Sequence, residues 1–199
     1  IVEMFDKYTR KYQFNTAFIN MGATMSYKEL EQQALDFAAY LQQDLGLVKG
    51  DKFAIMIPNL LQYPIALFGA LKAGLTVVNV NPLYTARELE HQLKDSGAQA
   101  ILIIENYAHI LEAVIDQTDI AKVIVTRLGD RLSKFKGALI NAVVKHIKKL
   151  VPPFQFANSV KFNDTLTIGS QLSFTPVAIT GQDLAFLQYT GGTTGPSKG

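Results

Sequence analysis

Short apolar runs alternate with amphipathic segments along most of the chain. Five runs, most of them rich in valine or isoleucine, have the length of strands, and they cover residues 52–57, 76–80, 100–104, 122–126 and 184–189. The segments between several of them carry apolar residues at helical spacing. This alternation is typical of proteins in which helices flank a parallel sheet. We therefore predict an α/β fold with a largely parallel sheet, and we expect residues 154–180 to form loops with short strands.

Two capping boxes predict where helices begin. Ser26 precedes Glu29, and Thr85 precedes Glu88, at the spacing that lets hydroxyl and carboxylate satisfy each other's backbone N–H groups. The second helix is expected to stop at Gly97, because glycine adopts the left-handed conformation at low cost. Between these two helices, the sequence predicts a largely buried apolar helix that runs to about residue 74.

Composition excludes several classes of protein. Hydrophobic residues make up 48% of the chain, which suffices for a packed core, and the absence of cysteine excludes disulfides and thiolate metal sites. A net charge of +2 gives no indication of nucleic-acid binding. The longest apolar stretch, residues 63–71, is too short to span a bilayer. The three histidines lack metal-ligand spacing, so we expect no metal site within these residues.

The strongest chemical signal is a glycine- and threonine-rich segment, residues 189–199, which follows a strand predicted to be buried. Glycines let backbone N–H groups approach an anion closely, threonines add hydroxyl donors, and Lys198 adds a positive charge. We interpret the segment as a cradle for a polyphosphate, and a flexible linker is the alternative. The candidate binding residues are Tyr189, Thr190, Gly191, Gly192, Thr193, Thr194, Gly195, Ser197, Lys198 and Gly199.

Two other motifs compete for this segment. A Walker A loop counted from Gly192 requires glycine at position 197 and a hydroxyl residue at position 199, where the chain has Ser197 and Gly199. Residues 195–199 match the Gly-x-Ser-x-Gly elbow of α/β-hydrolases, but that elbow places its serine directly between a strand and a helix. Six residues separate the predicted strand from Pro196, which argues against a hydrolase.

The segment resembles the signature loop of the adenylate-forming, AMP-binding superfamily, which ends in Lys-Gly; Ser197 stands where that family often has proline. The resemblance extends upstream to Tyr-Lys-Glu-Leu at residues 27–30 and Ile-Pro-Asn at residues 57–59. Its most informative part is Val-Asn-Val-Asn-Pro-Leu-Tyr-Thr-Ala-Arg-Glu-Leu at residues 78–89, which is most similar to bacterial long-chain fatty acid–CoA ligases.

The resemblance implies a reaction in which ATP converts a fatty acid to acyl-AMP and CoA then takes the acyl group. The loop would hold the ATP tail, with Lys198 as an electrostatic stabiliser, and Mg²⁺ would accompany ATP. It further implies that residues 1–199 are an incomplete N-terminal AMP-binding domain that lacks the C-terminal domain and is inactive alone. Two alternatives stay open: a stand-alone phosphate- or nucleotide-binding module, and a membrane-surface interaction domain.

Residues 127–153 form a basic amphipathic segment. Its basic residues are Arg127, Arg131, Lys134, Lys136, Lys145, Lys148 and Lys149. Apolar residues recur at helical spacing up to a Pro-Pro pair, namely Leu139, Ile140, Val143, Val144, Ile147, Leu150 and Val151. One interpretation is peripheral contact of a cytoplasmic protein with the inner, anionic face of the membrane. The other is a surface helix whose apolar stripe packs on the sheet.

Overall fold

The structure, a computed structural model, describes every residue except Thr193, Thr194 and Gly199, and for residues 191–192 and 195–198 it describes the backbone alone. The chain begins with helix α1 (Val2–Lys11) and an antiparallel hairpin of β1 (Thr16–Asn20) and β2 (Ala23–Ser26). The sequence analysis predicted neither α1 nor the hairpin. In the hairpin, apolar side chains are exposed and break the alternation expected of a half-buried strand.

Six parallel strands form the central sheet in the order β7-β6-β5-β3-β4-β8. Their bounds are β3 (Lys52–Met56), β4 (Thr76–Asn79), β5 (Ala100–Ile104), β6 (Lys122–Thr126), β7 (Ser159–Lys161) and β8 (Phe186–Gln188). The predicted parallel α/β fold is confirmed, and each of the five predicted strands is present. The short strand β7 lies in the region that was expected to form loops with short strands, and its three residues include a single apolar side chain.

Helices cover both faces of the sheet. They are α2 (Tyr27–Gln43), α3 (Gln62–Lys72), α4 (Ala86–Ser96), α5 (Ala108–Glu112), α6 (Lys134–Ala142), which continues as a π-helical turn (Val143–Ile147), and α7 (Phe162–Gly169); two short 3₁₀ turns cover Glu105–Tyr107 and Ile115–Gln117. Helix α7 lies in the region that was expected to form loops and short strands, so that part of the prediction is wrong.

The side chains of β3 show how one strand serves two cores. Phe53 and Ile55 pack into a cluster with α1, α2, α3 and α7, whereas Ala54 and Met56 pack with α4 and α5 on the other face. Successive side chains of a strand point to opposite faces, and a strand covered on both faces therefore reads as a continuous apolar run. This is why the central strands were easy to recognise in the sequence.

Strand β8 differs from the buried strand that the sequence predicted. It lies at an edge of the sheet, and among the described residues it pairs with β4 alone. Phe186 and Leu187 are half-buried and Gln188 is exposed. An apolar run does not distinguish a central strand from an edge strand whose inner face packs on the core.

Both capping boxes form as predicted. The N–H of Ser26 donates to the Glu29 carboxylate at 2.7 Å, and the N–H of Thr85 donates to the Glu88 carboxylate at 2.8 Å. These hydrogen bonds favour the ionised form and hold the pKa of both glutamates below its ordinary value. Helix α4 ends at Gly97, whose φ of 63° is left-handed as expected.

Helix α7 packs closely against α2 at Gly169. A Cβ atom added at Gly169 would lie 1.9 Å from the carbonyl oxygen of Asp36 and 3.2 Å from the Cβ of Tyr40. The helices can therefore approach this closely only because position 169 has no side chain.

We expect Gly169→Ala to lower the free energy of unfolding by about 2–3 kcal/mol, because the methyl group forces α7 away from α2. Urea unfolding followed by circular dichroism measures the change. Gly181→Ala is the matched control, since a Cβ there has no atom within 4 Å, and it should change stability by less than about 0.5 kcal/mol. Equal stability of the two variants would contradict this packing.

Candidate nucleotide-phosphate site

The glycine- and threonine-rich segment begins one residue after the carboxyl end of β8. Tyr189 follows that strand, and the chain then forms an antiparallel hairpin of β9 (Thr190–Gly192) and β10 (Gly195–Lys198). Lys198 is in register with Thr190, and Gly195 with Gly192. The register therefore brings the lysine position back beside the carboxyl edge of the sheet, where the hairpin starts.

The ten candidate residues fall into three groups. Tyr189 is buried and Thr190 is exposed. The backbone of the hairpin contains Gly191, Gly192, Gly195, Ser197 and Lys198, and Thr193, Thr194 and Gly199 lie outside the described residues. Their shared role as a polyphosphate cradle stays a prediction.

Tyr189 fixes the start of the hairpin to helix α4. Its hydroxyl donates to the Asp95 carboxylate at 2.6 Å, and only 8% of the residue is exposed. Burial, together with the hydrogen bond and the negative charge of Asp95, raises the pKa of Tyr189 far above its ordinary value. The hydroxyl therefore stays protonated at neutral pH and remains a donor to Asp95.

A second network joins the carboxyl ends of β4 and β8. The Tyr63 hydroxyl donates to Asn79 Oδ1 at 3.0 Å, and Asn79 Nδ2 donates to Gln188 Oε1 at 3.1 Å. The buried Gln92 of α4 adds a hydrogen bond to the Asn79 carbonyl at 2.8 Å. These hydrogen bonds thus hold the carboxyl ends of β4 and β8 together beside the start of the hairpin.

Sequence reasoning did not identify these positioning residues. Asp95 lies 94 positions before Tyr189, and Asn79 lies 109 positions before Gln188. No local pattern marks such pairs, because parallel strands bring together residues that are far apart in the chain. An acidic residue near the end of a predicted helix was the only available signal for Asp95.

The hairpin suits an anion better than it suits a nucleophilic serine. Glycines leave the backbone open to close approach, and a lysine position returns to the same edge. Ser197 lies within β10 rather than at a turn between a strand and a helix, so the hydrolase alternative is wrong. Within the described part of the chain, no three His, Cys, Asp or Glu residues are grouped to hold a metal ion.

The basic segment contains the predicted helix, but the helix ends earlier than expected. It covers α6 and the π-helical turn and stops at Ile147, because Lys149 has a left-handed φ of 53°. Ile140, Val143 and Val144 are half-buried, whereas Leu139, Ile147 and Leu150 are exposed. Packing of the stripe on the protein body therefore accounts for only part of it.

Three of the seven basic residues have partners within the protein. Arg131 donates to Gln33 Oε1 at 2.7 Å, and burial lowers its pKa. Arg127 pairs with the Asp130 carboxylate at 3.4 Å, and the Lys136 ammonium donates to the carbonyl oxygen of Met21. Arg131 in particular points inward and does not fit the predicted membrane contact. The exposed side chains of Lys134, Lys145, Lys148 and Lys149 form no ion pair with the residues that the structure describes.

The fold and the hairpin define an open parallel α/β protein whose candidate site lies at the carboxyl edge of its sheet, where such folds bind ligands. Residues 5–199 match the family model described as AMP-binding enzyme. The chain belongs to this family.

Curated relatives agree with the family model. A long-chain-fatty-acid–CoA ligase of Escherichia coli O157:H7 is 55% identical over 199 residues, which are 100% of this chain and 36% of the relative. The ligase of the same name from Bacillus subtilis is 34% identical over 194 residues, 95% of this chain and 34% of the relative. The chain thus spans about a third of the length of these relatives.

Solved structures share the fold at low sequence identity. A crystal structure of an anthranilate CoA ligase in complex with anthranoyl-AMP matches with a TM-score of 0.78 and 17% identity over 98% of this chain and 33% of that one. A long-chain-fatty-acid-CoA ligase from Archaeoglobus fulgidus matches with a TM-score of 0.73 and 24% identity over 98% and 35% of the two chains.

We expect Tyr189→Phe to lower the free energy of unfolding by about 0.5–1.5 kcal/mol, because it removes the hydrogen bond of a buried hydroxyl while the exposed Asp95 carboxylate is solvated by water instead. Urea unfolding of this variant, of Asp95→Ala and of the double variant measures the interaction free energy between the two side chains. Tyr8→Phe is the control, since Tyr8 is 41% exposed and contacts its neighbours through the ring, which phenylalanine keeps. Strictly additive effects of the two site variants would show that the hydrogen bond contributes no stability.

Proposed function

We propose that the full-length protein activates long-chain fatty acids with ATP to acyl-AMP and then transfers the acyl group to CoA. The single observation that carries the proposal is a glycine- and threonine-rich hairpin at the carboxyl end of a parallel strand, in a chain that is 55% identical to long-chain-fatty-acid–CoA ligases. The substrates of this protein are then a fatty acid, ATP and CoA.

The chemistry explains why a phosphate-binding hairpin is needed. A carboxylate is a poor electrophile, because its charge repels nucleophiles and oxide is a very poor leaving group. Attack of the carboxylate on the α-phosphorus of ATP forms the acyl–phosphate bond of acyl-AMP and releases pyrophosphate. The CoA thiol then attacks the acyl carbon, loses its proton, and displaces AMP to give the thioester.

Negative charge builds up on the phosphoryl oxygens and on the departing pyrophosphate during the first step. Backbone N–H groups, hydroxyls and an ammonium held in place beforehand stabilise such a transition state more than the ground state. We assign this role to residues 190–198, in which the threonines donate hydrogen bonds to the β- and γ-phosphates and Lys198 neutralises the leaving group. The Tyr189–Asp95 hydrogen bond keeps the hairpin at the edge of the sheet.

Mg²⁺ belongs to the proposal as the partner of ATP, because it neutralises phosphate charge. We assign it no protein ligand, since the residues described here contain no cluster of three acidic, histidine or cysteine side chains. A stand-alone nucleotide-binding module is the second candidate function. An enzyme is favoured over it because the relative that is 55% identical is a ligase.

We also propose a cytoplasmic protein in peripheral contact with the inner face of the membrane, where fatty acids partition. Among the described residues, no helix is long and apolar enough to cross a bilayer. The exposed lysines of the basic segment support a surface contact with anionic lipid.

We expect Lys198→Ala in the full-length enzyme to slow adenylate formation by about 100-fold or more, because it removes a charge from the leaving group. Fatty-acid-dependent exchange of pyrophosphate into ATP measures this step. Thioester formation from supplied acyl-AMP should change far less, since no pyrophosphate leaves in it.

The matched control is Lys122→Ala, which removes an exposed lysine at the amino end of β6. The hairpin lies at the carboxyl ends of the strands, so this lysine is remote from it. It should leave both half-reactions unchanged. Equal losses in the two half-reactions of the Lys198 variant would refute the assigned role.

A further inference from the structure

Helix α6 and the residues that follow it present large apolar side chains to solvent. Phe135 is 83% exposed, Leu139 54%, Ile147 71% and Leu150 57%. Phe135 and Leu139 are four residues apart and lie on the same side of α6, Ile147 ends the π-helical turn, and Leu150 follows it. Large apolar side chains that are exposed together along one segment are typical of a surface that contacts another apolar phase.

The opposite face of α6 explains why the row points outward. Gly137 packs against Gly129 so closely that a Cβ atom on Gly137 would lie 2.3 Å from the Gly129 carbonyl oxygen. The N–H of Gly129 also donates to Asn141 Oδ1 at 2.8 Å. The helix thus docks on the protein through a glycine and an asparagine, and a rotation that buried the apolar row would place large side chains in this contact.

Exposed positive charge lies near the row. Lys134, Lys145, Lys148 and Lys149 are exposed, and within the described ranges no carboxylate forms an ion pair with any of them. Asp130, the only acidic residue in the segment, has a side chain that is 5% exposed and pairs with Arg127. The outer surface therefore combines an apolar row with a cationic border.

The β1–β2 hairpin lies beside the start of α6. The Lys136 ammonium donates to the carbonyl oxygen of Met21 at the hairpin turn. Ile19 and Met21 are 70% and 41% exposed, so the turn adds apolar surface next to the helix.

We propose that this surface, formed by α6, the π-helical turn and the β1–β2 turn, docks on an anionic lipid bilayer with the helix in the plane of the membrane. Phe135 and Leu139 enter the boundary between headgroups and acyl chains, and the flanking lysines contact lipid phosphates. The proposal rests on the proposed peripheral function and names the residues that insert.

Charge complementarity favours a bilayer over a protein partner. A bilayer supplies an apolar layer bordered by anionic groups, which matches an apolar row bordered by lysines. A second copy of the chain would bring identical lysines together, and like charges facing each other at an interface are unfavourable.

The test is co-sedimentation of the full-length protein with vesicles of phosphatidylcholine containing roughly one part in three of phosphatidylglycerol. The double variant Phe135→Gln/Leu139→Gln keeps every charge, and we expect it to lower the partition coefficient by about tenfold or more. Lys134→Gln/Lys148→Gln should lower it by a similar factor at low salt and by less at high salt. Val48→Gln is the control. Val48 is 64% exposed and precedes the amino end of β3, whereas α6 follows the carboxyl end of β6.

Unchanged vesicle binding by the Phe135/Leu139 variant would overturn the inference. So would a loss of thermal stability without a change in binding, since another part of the protein would then cover the row, or a change in oligomeric state without lipid. Pyrophosphate exchange with a water-soluble fatty acid, measured without vesicles, should be normal in all variants. Normal exchange with lost binding supports the inference, and absent exchange in the unaltered protein would count against the proposed function alone.

Discussion

The constraint on which the structure depends is the burial of the parallel sheet on both faces. Backbone groups of the central strands satisfy one another within the ladder, and their side chains supply two separate cores, as Phe53 and Ala54 of β3 show. The helices on one face must therefore also pack closely on one another, and α3 and α7 approach α2 most closely at Gly69 and Gly169. The candidate binding segment starts at the carboxyl edge of this sheet.

The hairpin of the candidate site begins after β8, which pairs with β4 alone among the described residues. The Tyr189–Asp95 hydrogen bond and the Asn79 network join β8 and the residue that follows it to α4 and β4. Residues remote from any phosphate thus control where the glycine-rich segment starts. In a site whose chemistry is mainly electrostatic, such positioning matters as much as the donors themselves.

The basic helix shows the same principle at the surface. Gly137 and Asn141 contact the protein, so Phe135 and Leu139 of α6 are left outside, whereas Ile140 is half-buried. The hydrophobic pattern alone favours the opposite arrangement, with the apolar stripe on the sheet. The lysines have the same ambiguity, since Lys136 and Lys134 are equally basic in the sequence and only the former is paired.

The sequence by itself determined what local physics controls: the five strands that are continuous apolar runs, both capping boxes, the left-handed stop at Gly97 and the glycine-rich segment that indicates phosphate. Tertiary structure alone decided that β8 pairs with β4, that α7 forms in a region without clear periodicity, and that Arg131 points inward. It also decided the pairing of Tyr189 with Asp95. The physical reason is that propensity and capping act within a few residues, whereas strand neighbours, helix faces and buried hydrogen bonds depend on which distant segments pack together.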